Sequence, residues 1–145
     1  MNAADCPLCR EDGGRLVVRT SRLRLIHAGE AGFPAFYRVV WNDHVREFSD
    51  LPAQDRALCM EAVVLVEQSV RRHLRPDKVN LAALGNQVPH LHWHVIGRFA
   101  WDSHFPGPVW AAALRAAPAA SLQAVAADLP ALEQELAAAL LRLAP

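Results

Sequence analysis

The chain has no charge excess of either sign: fifteen Lys and Arg side chains balance fifteen Asp and Glu. That removes any global electrostatic case for a nucleic-acid partner or an anionic membrane, so an anionic ligand needs a local site. No apolar run approaches the ~20 residues that span a bilayer. The stretch Met1–Cys6 lacks a basic start followed by an apolar core, so no secretory leader is read there. Cysteines are few and odd in number: Cys6, Cys9 and Cys59. A disulfide framework is the poorer reading, and reduced thiols in a cytoplasmic setting are expected.

What is present is enough apolar material for a core. Of 145 residues, 52% are hydrophobic and 21% charged, which fits one domain with a terminal extension. Short apolar or alternating runs predict strands at Leu16–Thr20, Arg22–Ala28, Phe36–Trp41, Val79–Leu84 and His90–Arg98. A helical stripe through Leu58, Ala62, Leu65, Val66 and Val70 ends near Leu74, with Ser49 or Asp50 as its cap and Pro52 in its first turn. The order β-β-β-α-β-β predicts an α+β domain, a sheet with one long helix on it. Phe105-Pro106-Gly107-Pro108 reads as a rigid connector. A last, Ala-rich helix is expected to start at Asp128 or Pro130 and run through Leu132, Leu136 and Leu140. The division expected is a domain over residues 1–110 and a helical extension over 111–145.

Pro89-His90-Leu91-His92-Trp93-His94-Val95-Ile96 is the most distinctive segment. Side chains alternate across a strand, so three histidines share one face and Leu91, Trp93 and Val95 the other. Three readings of the histidine face compete. It is a solvated polar face; or it holds one metal ion with all three rings; or it is a row of groups that handles an extended anionic substrate. The single ion fits poorly, because His90 and His94 lie ~13 Å apart on a strand and zinc–nitrogen bonds are ~2.0–2.1 Å. In the third reading one neutral imidazole attacks phosphorus while its neighbours donate hydrogen bonds to phosphate oxygens.

The segment His90-Leu91-His92-Trp93-His94-Val95-Ile96 resembles the signature of the histidine triad family. Flanking Gly85-Asn86-Gln87-Val88 and Gly97-Arg98, the pair Cys6-Pro7-Leu8-Cys9, the strand that leads to His44 and the long helix follow the family's order, over roughly residues 6–105. The resemblance implies a five-stranded antiparallel sheet, a homodimer, and hydrolysis or transfer of nucleotides at the α-phosphate. It assigns His92 as the nucleophile that forms a nucleotidyl-histidine, His94 as a donor to a phosphate oxygen, and His90 as an orienting residue or metal ligand. Asn86, Gln87 and Arg98 become phosphate-binding candidates, a solvated strand end being the other reading of Arg98. The resemblance also implies a structural zinc on Cys6, Cys9, His44 and His90; two small reduced cysteines near a terminus are the plainer alternative. Cys59, on the helix, is read as an apolar filler.

The chain departs from the family pattern in places. Phe36-Tyr37 stands where Gly-His is common, and Asn86 and Gln87 replace the usual Gln and Ser or Thr. The loop between Asn80 and Gly85 is short. His104 and Trp110 are read as neighbours of the site, with packing the stronger reading for Trp110. Leu25, Ile26, Phe33 and Phe36 fit a base pocket or the core equally well, and His27 and His73 read as ordinary polar positions. Three functions follow. One is a nucleotide hydrolase or nucleotidyl transferase, with dinucleoside polyphosphates, nucleoside phosphoramidates or nucleotidyl conjugates as substrates and no organic cofactor. The second is a nucleotide-binding or sensing module with little catalysis, and the third a zinc-stabilised interaction protein.

Overall fold

The computed structural model describes residues 1–145. A four-residue helical turn, α1 (Pro7–Arg10), precedes three strands: β1 (Arg15–Arg19), β2 (Leu23–His27) and β3 (Phe36–Trp41). The long helix α2 (Ala53–Leu74) follows, then β4 (Lys78–Ala82), β5 (His92–Arg98) and a second long helix, α3 (Ala119–Leu143). The five strands form one antiparallel sheet in the order β1-β2-β3-β5-β4. The α+β architecture is the one expected.

Strand alternation sorts the side chains into two layers. Tyr37, Val39 and Trp41 of β3 and Val95 of β5 join the main core under α2 and α3. The opposite face buries Ile26 and Val40 against Cys6 and Leu8. Phe36 and Ile96 pack there with Phe33. Gly97 lets α2 approach the sheet: a Cβ there would lie 3.2 Å from Val70 Cγ1 and 2.9 Å from the Ala35 Cβ. A side chain at this position would push α2 off the strand.

Several element boundaries differ from the sequence reading; β4, for one, ends at Ala82 and not Leu84. Phe48–Asp50 form a separate 3-10 turn, closed by reciprocal Glu47 and Asp50 contacts, and Pro52 is the residue before α2. Strand β5 starts at His92 rather than His90. Leu91 still pairs, but irregularly: its N–H donates to Val45 O at 2.6 Å and its carbonyl accepts from Trp41 N–H at 3.1 Å. Helix α3 starts at Ala119 and runs straight through Pro130. Pro130 cannot donate to the preceding turn, but Val125 and Leu129 before it and Leu132, Leu136 and Leu140 after it are all buried in the main core. Packing on both sides of the proline outweighs one missing hydrogen bond. Glu133 of α3 takes a bidentate pair from Arg15 at 2.7 and 2.8 Å and the Tyr37 hydroxyl at 2.9 Å. Burial first, then this carboxylate, pushes the Tyr37 phenol up. No helix is long and apolar enough to cross a membrane.

Candidate active site and metal cluster

The three histidines do not act as one row. His90 turns back to the N-terminal segment, while His92 and His94 face a cleft of about 590 Å³. The period-2 expectation holds for the two in β5 and for the core side, where Leu91, Trp93 and Val95 meet the helices.

Around His90 the four expected metal-ligand residues come together. The ligand atoms of Cys6, Cys9, His44 and His90 all lie within 4.8 Å of one another. His90 Nδ1 is 3.4 Å from both Cys6 Sγ and Cys9 Sγ, and His44 Nδ1 is 3.3 Å from Cys9 Sγ. Zinc–sulfur and zinc–nitrogen bonds of ~2.3 and ~2.05 Å at a tetrahedral angle imply an S···N edge of about 3.5 Å. The donor set therefore fits a tetrahedral ion by both chemistry and spacing. His90 Nε2 contacts Trp41 O at 2.7 Å. A backbone carbonyl can only accept, so Nε2 carries the proton and Nδ1 keeps its lone pair for the cluster. Arg24, 1% exposed, holds the segment against the sheet by donating to the carbonyls of Leu8, Glu11 and Asp12.

His92 is fixed by the same logic. Its Nδ1 lies 2.6 Å from His90 O, so Nδ1–H donates and Nε2 is left as the basic, nucleophilic nitrogen. The His94 ring sits edge-on to it at 4.9 Å. Burial lowers the pKa of both: for His92 the His90 carbonyl opposes the shift and Arg38 adds to it, and for His94 the further push of His92 and Arg38 takes the value to about 4. Both rings are thus neutral near pH 7.

Asn86 and Gln87 line the same cleft. Arg98 does not. It is 2% exposed and holds Asp102 through Nε at 2.9 Å and Nη2 at 3.1 Å. Its remaining donors reach Asn80 Oδ1 and Gly107 O. The strand-end arginine is neither a phosphate contact nor solvated: it is the buried half of an ion pair that folds the loop after β5. Trp110 also corrects its expectation. It is 55% exposed, lines the cleft and stands 5.3 Å from His94, so it is a wall and not a core residue. His104 packs on Phe33 and contacts Ser103 Oγ instead of the cleft. Leu25, Ile26, Phe33 and Phe36 are buried and off the cleft lining, so core packing is their role. His27 and His73 make ordinary polar contacts, to Pro34 O and to the Glu135 carboxylate. Burial pushes the Cys59 thiol up to about 11, which suits an inert filler.

Sequence reasoning missed Arg38 and Glu30, which also line the cleft. The signal was available for Arg38. It is a charged residue at the same parity as Phe36 and Val40 in an otherwise apolar strand, and the register places it opposite His94.

The comparisons with known proteins agree with this geometry. A family profile, HIT domain, matches residues 10–101. Among solved structures, a histidine triad protein of Bradyrhizobium japonicum is 27% identical with a TM-score of 0.72, over 86% of this chain and 92% of that one. One from Marinobacter aquaeolei is also 27% identical, with a TM-score of 0.69 and the same coverage. A zinc-bound histidine triad family protein of Mycobacterium smegmatis shares the fold at 17% identity and a TM-score of 0.61, over 92% of this chain and 99% of that one. No curated protein sequence matches the chain. With the profile spanning more than half of its residues and the two histidines of β5 set in its cleft, this chain belongs to the histidine triad family.

Proposed function

We propose that the protein is a nucleotide hydrolase or nucleotidyl transferase that works through a covalent nucleotidyl-His92. The observation that carries the reading is the tautomer of His92: the His90 carbonyl at 2.6 Å occupies Nδ1–H and leaves Nε2 free in the cleft. In the first step Nε2 bonds to the α-phosphorus as the bond from phosphorus to the leaving group breaks. In the second a water oxygen, or an acceptor hydroxyl or amine, bonds to phosphorus and the N–P bond breaks. Splitting one displacement into two lowers the barrier to each. His94 Nδ1 faces Arg38 Nε at 3.4 Å, which leaves His94 Nε2–H to donate to a phosphate oxygen as charge builds. Asn86 and Gln87 supply further polar contacts from the loop before β5.

The proposed substrates are dinucleoside polyphosphates, nucleoside phosphoramidates or nucleotidyl conjugates. In this reading Cys6, Cys9, His44 and His90 hold a zinc ion, which pins the N-terminal segment to the sheet and takes no part in the chemistry. The protein is cytoplasmic and homodimeric, with no nucleic-acid or membrane partner. Light scattering that finds only the 15.9 kDa chain would count against the dimer.

The decisive measurement is acid-quench trapping with nucleotide labelled at the α-phosphate. Wild type is expected to carry acid-labile label on His92, and His92→Ala to keep its fold but lose both label and turnover. Turnover at the wild-type rate in His92→Ala would overturn the mechanism. Phe36-Tyr37 stands where Gly-His, with its outer histidine, is common in the family, which favours the second reading, a nucleotide-binding module with little catalysis. That reading predicts tight nucleotide binding and no covalent label.

A further inference from the structure

Arg38 is the single Lys or Arg among the residues that line the cleft. Its side chain is 22% exposed, and every polar contact it makes is long. Nε is 3.4 Å from His94 Nδ1, Nη1 is 3.4 Å from Gly13 O, and Nη2 is 3.6 Å from the Glu30 carboxylate. The two buried arginines elsewhere are satisfied differently. Arg98 and Arg24 make bonds of 2.6 to 3.2 Å to carboxylate, amide or carbonyl oxygens. A largely buried guanidinium with five donors and no short partner has unmet hydrogen-bonding capacity. Its planar fork matches the paired oxygens of a phosphate. Antiparallel pairing sets it directly across from His94, beside the ring that would donate to the phosphate.

Glu30 is the competitor. It belongs to the loop between β2 and β3, its side chain is 53% exposed, and it lines the cleft beside Arg38. The loop turns at Gly29 and Gly32, both at positive φ, 68° and 82°. An incoming phosphate and Glu30 cannot share one face of the guanidinium, since both are anions.

We propose that Arg38 is the anion-binding residue of this site, with Glu30 as a resident counter-ion that a substrate phosphate displaces. The proposal rests on the reading of the cleft as a nucleotide site. It adds a selection by charge. One cation, partly offset by a carboxylate, balances a phosphate that bears a single negative charge and leaves a neutral group. It does not balance the several charges of a polyphosphate chain.

Titration with adenosine 5′-monophosphate tests binding without any chemistry. Arg38→Met, which keeps the length and loses the charge, is expected to bind at least about 10-fold more weakly, and Arg38→Lys to fall between. Glu30→Gln is expected to bind roughly 2- to 5-fold more tightly. In metal-free buffer wild type is expected to favour adenosine 5′-phosphoramidate over diadenosine tetraphosphate in kcat/KM, and Glu30→Gln to narrow that ratio. A natively folded Arg38→Met that binds within twofold of wild type would overturn the proposal, as would a Glu30→Gln that changes neither quantity. If His92 is labelled equally in wild type and Arg38→Met, Arg38 fails and the nucleotidyl-histidine reading stands. If binding depends on Arg38 but His92 is never labelled, the reading fails and the anion site stands.

Discussion

Asp102 carries the polar half of the loop that walls the cleft. Its carboxylate accepts from Arg98 and from the N–H groups of Phe99, His104 and Phe105 at 2.7 to 3.2 Å. Burial alone would raise its pKa, but the Arg98 guanidinium and the backbone donors outweigh it and hold the carboxyl below its ordinary range. Because the folded value is depressed, the stabilisation is complete above the unfolded carboxyl's pKa of ~3.9. It fades as pH falls through the lower folded value. Asp102→Ala strands a buried guanidinium and is expected to cost about 3–5 kcal/mol at pH 7. Urea unfolding at pH 7 and below pH 4 checks this: the gap between wild type and variant should shrink in acid, and a gap that does not change with pH would refute the assignment. None of this was legible around Arg98, because a pair that closes through a turn leaves no periodic trace. The histidines were legible because a strand turns alternation directly into facing. Arg38 was half legible: its odd charge in β3 was visible, but its partner across the sheet depends on register.

Among the elements, the N-terminal segment contributes most for its length. Residues 6–10 hold the four-residue turn α1, too short to be stable as an isolated helix, yet Cys6 is fully buried and Leu8 nearly so. The carbonyls that Arg24 gathers and the Cys6–Cys9–His44–His90 cluster explain how it stays folded. Protein purified without chelator is expected to contain about one equivalent of zinc by elemental analysis. If zinc is present at 100 to 1,000 times its dissociation constant, its loss removes about 3–4 kcal/mol. Cys9→Ser should therefore lose the metal and melt lower. Less than a tenth of an equivalent in wild type, with an unchanged melt in Cys9→Ser, would remove zinc from the account. The family resemblance, more than the cysteine spacing alone, announced this cluster, whereas the start of α3 was hidden. Pro130 reads as a first-turn residue, and only the leucines that reach α2 and the sheet from beyond it show why the helix continues through.

At the scale of the molecule, one face of the sheet is committed to the core and the other to the site. The C-terminal helix belongs to that core: Leu132, Leu136 and Leu140 are fully buried with residues of α2 and β3. The overall order of strands and the long helix followed from apolar patterning, while strand order in the sheet did not, because nothing local distinguishes an interior strand from an edge. That order has a further consequence. β5 runs between β3 and β4 and is hydrogen-bonded along both sides. His94 is therefore held by a ladder on each side, and His92 by the β3 ladder alone, so displacing His94 means breaking two ladders that also hold the domain together. Local opening and global unfolding merge for this strand. On slow heating, activity and far-UV circular dichroism should be lost along one curve, and inactivation well below the melt would contradict it. The reacting groups have no stability of their own to lose: they last as long as the fold does.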